Sequence, residues 1–262
     1  MPQKSISSGL TRFWLFFLCT IASVLFTDAS ALGIEPFYPG GSNPDPGVIF
    51  CDDFEDTTAL VRQGRYFEYD SAGGNFTLTG NIGVNGSKGM RAVWSPGAIN
   101  AGHLALAFGR NPAANQGIKS TQDFREIYYR MYLKMQDGWN GDPYKLSRAT
   151  MFSASDWSQG MIAHLWSGDV QYHLAIDPVS CVDSNSNPIR QGYNDFTHMA
   201  WLGLRAGTTP LYDSNHDNSW YCIQAHVKLN DPGQANGIQE FWINGQQEAG
   251  RSDLNFVRSY AI

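Results

Sequence analysis

Between Val48 and Arg251 no stretch of ten or more residues keeps a convincing helical period; Gly, Asn and Pro instead divide the chain into thirteen short segments of β-like character. Successive side chains of a strand point to opposite faces, so each segment has a face to bury and must close on another. Short strands in series with turn residues between them predict an all-β fold, an antiparallel β-sandwich of the jelly-roll kind. The expected strands are "VIFCDDF", "RYFEYD", "NFTLTG", "GMRAVWS", "HLALAFG", "REIYYRMYLKM", "RATMFSA", "GMIAHLWSG", "VQYHLAI", "THMAWLGLR", "SWYCIQAHVKLN", "IQEFWING" and "QQEAGR". "DTTALVRQG" allows at most a short turn of helix.

The C-terminal segments are the most specific. Tyr221, Ile223, Ala225, Val227 and Leu229 form one apolar row, Phe241 and Ile243 a second, and "DPGQANG" (231–237) joins them as a turn-rich loop. Asn244-Gly245 is a strong two-residue hairpin signal, because both positions tolerate positive φ. The succession "FCDDFED", "REIYYRMYLKM" and "WYCIQAHVKLNDPGQANGIQEFWINGQQEAGR" resembles the concanavalin A-like lectin and glucanase superfamily, in particular its polysaccharide-lyase-like and laminin-G-like members. These share a Trp-led strand, a polar turn and a strand ending in a W-[IV]-[ND]-G hairpin. The resemblance runs in pattern over most of residues 48–251 and is motif-like at the C-terminal end. It implies two curved antiparallel sheets with sugars bound on the concave one. It also implies a last strand returning beside the first; "NFVRSYAI" offers none, so the domain expected over 48–262 is read as short of that strand.

Targeting accounts for the N-terminus. Lys4 and Arg12 supply a basic region, residues 13–26 an apolar run of 14, and Ala29-Ser30-Ala31 a small-x-small cleavage site, which makes 1–31 a signal peptide. A membrane-crossing helix needs roughly 20 apolar residues, and Cys19 follows Leu18 where a lipoprotein signal would carry a small residue. The expectation is a secreted or periplasmic soluble protein. Residues 32–47, with "EPFYPGGSNPDPG", read as a Pro/Gly-rich linker. Without Lys4, Arg12 and Asp28 the chain holds 16 basic and 23 acidic side chains, a net charge of −7, and no basic run. Nucleic acid is therefore not an expected partner, nor is a membrane once the signal is cleaved; a monomer engaging a polysaccharide is expected. Cys51, Cys181 and Cys222 permit one disulfide in an oxidising compartment, with three pairings open.

Within "REIYYRMYLKM", Ile127, Tyr129, Met131, Leu133 and Met135 form a core row, whereas Glu126, Tyr128, Arg130, Tyr132 and Lys134 share the opposite face. Aromatic rings beside cations suit a cleft that stacks sugars and bonds their hydroxyls; tyrosine is also simply a good strand residue. In "GMIAHLWSGDVQYHLAID", Ile162, His164 and Trp166 share a face, with His173 expected near them across the hairpin. A lone strand histidine is more often structural, and that reading stands beside the functional one. Cleaving a uronate polymer by β-elimination requires its carboxylate to be neutralised by Arg, His or an amide and the α-proton to be taken by Tyr or His. The candidate catalytic residues are thus Tyr128, Arg130, Tyr132 and His164, with Glu126, Lys134, Trp166 and His173 for substrate; Arg130 and Lys134 are expected to favour the phenolate of their Tyr neighbours. The alternative is a non-catalytic carbohydrate-binding or adhesion module of the same fold.

Departures from the resembled families matter too. Their alginate lyases carry R-[ST]-E-[LV]-R, Q-[IV]-H and Y-x-K-x-G-x-Y strands; here "MRAVW" surrounds Arg91, "IAHLW" surrounds His164, and the third motif has no match, so only His164 corresponds, loosely. No E-x-D-x-x-E pair supports retaining hydrolysis, and no GxSxG elbow supports a nucleophile triad. Gln224, His226 and Lys228 read as a solvent-facing row. "CDDFED" places Asp52, Asp53 and Glu55 as candidate ligands of a structural Ca²⁺, and "DSNHDN" (213–218) is a weaker loop lacking the Gly at its sixth position and the late Glu. Solvated turns are the ordinary alternative for both.

Overall fold

The computed structural model describes residues 47–61, 65–98, 100–110, 117–139, 145–153, 157–167, 170–191 and 195–260, with only the backbone at 190 and 191. The expected signal peptide, and the linker apart from Gly47, lie outside the described residues. Fourteen strands are present in order: β1 (Glu68–Asp70), β2 (Phe76–Thr79), β3 (Gly89–Ala92), β4 (His103–Ala105), β5 (Glu126–Leu133), β6 (Ser147–Phe152), β7 (Ser158–Trp166), β8 (Ala175–Ser180), β9 (Arg190–Gln191), β10 (Ala200–Trp201), β11 (Arg205–Ala206), β12 (Tyr221–Lys228), β13 (Gly237–Ile243) and β14 (Gln246–Leu254). Among the described residues three single-turn 3₁₀ helices accompany these strands, and there is no α-helix.

Two antiparallel sheets face each other. The first runs β14-β13-β12-β5; the second runs β10-β8-β7-β6, with β11 also on β8 and β9 on β7. The alternation expected for β5 holds: Ile127, Tyr129, Met131 and Leu133 pack inward, as do Ile223, Ala225 and Val227 of β12. Met161, Ala163 and Leu165 of β7 and Ile176 of β8 meet them from the second sheet. Each fully buried Leu, Ile or Phe in this layer contributes about 1.5–3 kcal/mol. After β14, Phe256 and Val257 are buried in the same core rather than forming a further strand.

Two local conflicts explain where strands stop. "THMAWLGLR" does not run as one strand but splits into a 3₁₀ turn (Phe196–His198), β10 and β11. Gly203 between them has φ of 108°, outside the strand region. The Pro178 carbonyl of β8 accepts a hydrogen bond from Leu202 N at this break. In an extended residue the N and C=O point to one side, so the proline ring occupies the edge where no donor is available to continue the ladder. The Asn244-Gly245 hairpin is as expected, with φ of 50° and 82° at its two central residues.

"VIFCDDF" is not a strand. Its acidic cluster folds around Arg65, which is 1% exposed. Arg65 Nε donates to Asp52 Oδ2 at 2.8 Å, Nη2 to Asp52 Oδ1 at 3.2 Å, and Nη1 to the Thr58 carbonyl at 2.5 Å. A buried guanidinium demands such a bidentate carboxylate. Asp53 accepts from Glu55 N at 3.0 Å, and Glu55 from Lys88 N at 2.6 Å. These bonds engage both oxygens of Asp52 and one oxygen each of Asp53 and Glu55. Among the described residues no group of three or more His, Cys, Asp or Glu side chains is placed to hold a metal ion.

The cysteines form no disulfide with one another. Cys222 lies on β12 of the first sheet, opposite Tyr132; Cys181 is buried with Ile162 and Val179 on the far side of the second. A bridge needs Cα atoms within about 7 Å, which a sandwich layer separates. Burial, with Asp53 and Asp52 nearby, pushes the Cys51 thiol up to about 11.

Candidate functional site

The register divides the expected site residues between two outward faces. On the first sheet, β5 pairs with β12 so that Tyr132 lies opposite Cys222, Arg130 opposite Gln224, Tyr128 opposite His226 and Glu126 opposite Lys228. Directly opposed residues of an antiparallel pair project to one face. Glu126, Tyr128, Arg130 and Tyr132 therefore share the outer surface of this sheet with His226 and, across β13, with Glu240 and Trp242.

His226 is not solvent-facing, contrary to what the laminin-like pattern implies for its row. It is 3% exposed, its Nε2 lies 2.8 Å from Glu126 Oε1, and its Nδ1 lies 2.8 Å from Glu240 Oε1. The Tyr128 ring stacks on it at 4.0 Å and 4°. Both ring nitrogens thus face a carboxylate oxygen. Arg130 sits 6.0 Å over the Tyr132 ring. The expected phenolates do not follow: burial, then Glu126 and Glu240, raise the Tyr128 hydroxyl, and burial raises that of Tyr132 although Arg130 opposes it. A general base made from either phenol has its proton held more tightly than usual. Lys134 is exposed just beyond β5.

On the second sheet the outward row is Ile162, His164 and Trp166, with Asp177, Val179 and Cys181 beside them. His164 lies opposite Arg148 of β6 and Asp177 of β8. It is 6% exposed, and its ring stacks on Trp166 at 4.4 Å and 12° and on Trp201 at 5.6 Å and 20°. His164 Nδ1 is 3.1 Å from the Asp177 carbonyl oxygen. A carbonyl cannot donate, so Nδ1 carries the hydrogen. His173 is set apart in the turn before β8, with Nδ1 2.6 Å from the Gln171 carbonyl.

The four candidate catalytic residues consequently do not meet. Tyr128, Arg130 and Tyr132 point away from the sandwich on one side, His164 on the other, with two sheets spaced about 10 Å apart between them. The residues that sequence reasoning missed are the cross-strand neighbours: His226 and Glu240 on the first face, Arg148, Asp177 and Trp201 on the second. Only knowledge of strand pairing would have found them.

No protein-family model matches the chain, and no curated protein is significantly similar to it. Two solved structures are similar. An endo-β-1,4-glucuronan lyase from the fungus Trichoderma reesei shares 12% identity over 74% of each chain, with a TM-score of 0.47. The alginate lyase vAL-1 from Chlorella virus shares 14% identity over 54% of this chain and 60% of its own, with a TM-score of 0.33. Neither likeness assigns a residue or an activity to this chain.

Proposed function

We propose that this protein is a secreted, monomeric polysaccharide lyase of the concanavalin A-like kind that cleaves an acidic, uronate-containing glycan by β-elimination at the outer face of the second sheet. The observation that carries the proposal is His164: a histidine hydrogen-bonded through Nδ1 to the Asp177 carbonyl, in near-parallel ring contact with both Trp166 and Trp201, on the same face as Arg148. Trp201 is 47% exposed and forms the entrance to this stack. Its ring provides a face for a pyranose, Arg148 a bidentate partner for the uronate carboxylate, and His164 Nε2 the acceptor for the α-proton. As that C–H bond breaks, its electron pair forms the double bond to the neighbouring carbon, the bond to the glycosidic oxygen breaks, and the oxygen leaves with a proton from solvent water, while His164 returns the abstracted proton to solvent.

The test is incubation of the secreted chain with glucuronan, alginate and glycosaminoglycans while following the ultraviolet absorbance of the unsaturated uronate. Absorbance should grow on at least one polymer and fall at least 100-fold in rate in His164→Asn, the contribution of a positioned base being about 10²–10⁴. Absence of growth on every polymer refutes the lyase reading. The second reading, a non-catalytic carbohydrate-binding or adhesion module, is favoured by the burial of His164, which also suits a structural role; glycan binding without absorbance growth would assign it.

A further inference from the structure

We infer that the outer face of the first sheet is a second, non-catalytic binding surface for an acidic glycan chain, centred on Tyr128. The acidic class of ligand rests on the function proposed above; the surface itself rests on separate observations. Tyr128 is 68% exposed, yet its ring is not loose. One side is packed flat on His226, and His226 is fixed by Glu126 and Glu240 on its two nitrogens. Gln247 Nε2 in turn donates to Glu240 Oε2 at 2.8 Å. Ordering an exposed side chain before the ligand arrives removes part of the entropic cost of binding. Because β5 is the outermost strand of its sheet, the other ring side is turned off the sheet edge towards solvent.

Charge selects the occupant. The two carboxylates nearest Tyr128 are those engaged by His226, whereas Arg130 and Lys134 continue the β5 row and Lys228 stands opposite Glu126. These three cations outnumber the two carboxylates and favour an anion on this strip of a chain whose net charge is −6. Local charge governs over the Debye length of about 8 Å at physiological salt, so a polyanion is attracted here although the chain as a whole is acidic. Tyr128 and Tyr132 are four residues apart along the strand, about 13.6 Å at 3.4 Å per residue, which aligns the strip with an extended chain crossing both rings.

The experiment is calorimetric titration of the full secreted chain with short oligouronates, repeated with a neutral oligosaccharide of equal length. The wild-type chain should bind two acidic oligosaccharides, and Tyr128→Ala one, with retention on an acidic-glycan gel at least five-fold weaker. Tyr128→Phe should keep both sites, which separates loss of the ring from loss of fold; a melting temperature lowered by no more than about 5 °C in Tyr128→Ala does the same. A stoichiometry unaffected by Tyr128→Ala, or equal binding of the neutral oligosaccharide at the Tyr128 site, overturns the inference. If Tyr128→Ala removes binding from a chain that releases no unsaturated product from any uronate polymer, this surface stands while the lyase reading fails. If Trp166→Ala removes all binding and Tyr128→Ala none, the lyase reading stands and this surface fails.

Discussion

The two outward faces of the sandwich are built from the same strand grammar and end in opposite conditions. On β5 the outward residues Glu126, Tyr128 and Arg130 are exposed, as an edge strand allows. On β7, flanked by β6 and β8, the outward residues Ile162, His164 and Trp166 are all buried. An exposed tyrosine calls for little explanation, because much of any protein surface is apolar. A histidine and an aspartate buried beside tryptophans do call for one, since burying polar groups is costly unless they are hydrogen-bonded. The comparison thus moves the catalytic candidate from the more conspicuous aromatic strip to the concealed row, and leaves the strip as a surface for binding.

The largest expected effect tests whether the second face is truly interior. Trp166 is 7% exposed, so Trp166→Ala should cost about 3–5 kcal/mol in stability, measured as the shift of a urea-unfolding midpoint at constant slope. A loss below about 1 kcal/mol would mean that the face is open, and the contrast between the sheets would vanish.

How much of this was legible beforehand follows from what a two-residue period encodes. Alternation separated Ile127, Tyr129, Met131 and Leu133 from their neighbours correctly, and Asn244-Gly245 announced its turn, because both are local properties. A sandwich, however, has two outsides, and alternation does not distinguish them. Tyr128 and His164 therefore looked like members of one site until β5 was found on β12 and β7 on β8. For the same reason His226 read as solvent-facing, although its cover comes from a residue 98 positions earlier in the chain. The acidic "CDDFED" shows another limit: Asp52 has a partner in Arg65, and a carboxylate that neutralises a buried guanidinium has the same sequence appearance as one awaiting a cation.

A smaller effect concerns what ties the two sheets together. Glu248 of β14 accepts from Thr208 N and Oγ1 at 2.7 and 2.8 Å and from Thr209 N and Oγ1 at 2.8 and 2.7 Å, just after β11 of the second sheet. Burial raises its carboxyl, but the bonds from Thr209 and Thr208 outweigh that and hold it below its ordinary value of 4.5. A folded value below the unfolded one means that the stabilisation is present above about pH 4.5 and is lost as pH falls through the folded value. Glu248→Gln should therefore destabilise at neutral pH by about 1–3 kcal/mol and flatten the acid limb of a stability profile between pH 6 and 3, roughly the window set by an ordinary carboxyl. An unaltered acid limb would show that this carboxylate does not couple the sheets.

The smallest effect returns to Tyr128. Its ring is mostly in solvent and its stacking on His226 is a single aromatic contact, so Tyr128→Ala should cost about 0.5–1.5 kcal/mol by the same urea measurement. That is well below the cost at Trp166, although tyrosine and tryptophan are of comparable bulk and both lie on outward rows. Equal costs would imply that the first face is as enclosed as the second, and a ring so enclosed has no side left for a sugar. A small cost with weakened binding to acidic glycans is the pattern that an exposed, pre-ordered platform requires, because its contacts count in the complex more than in the fold.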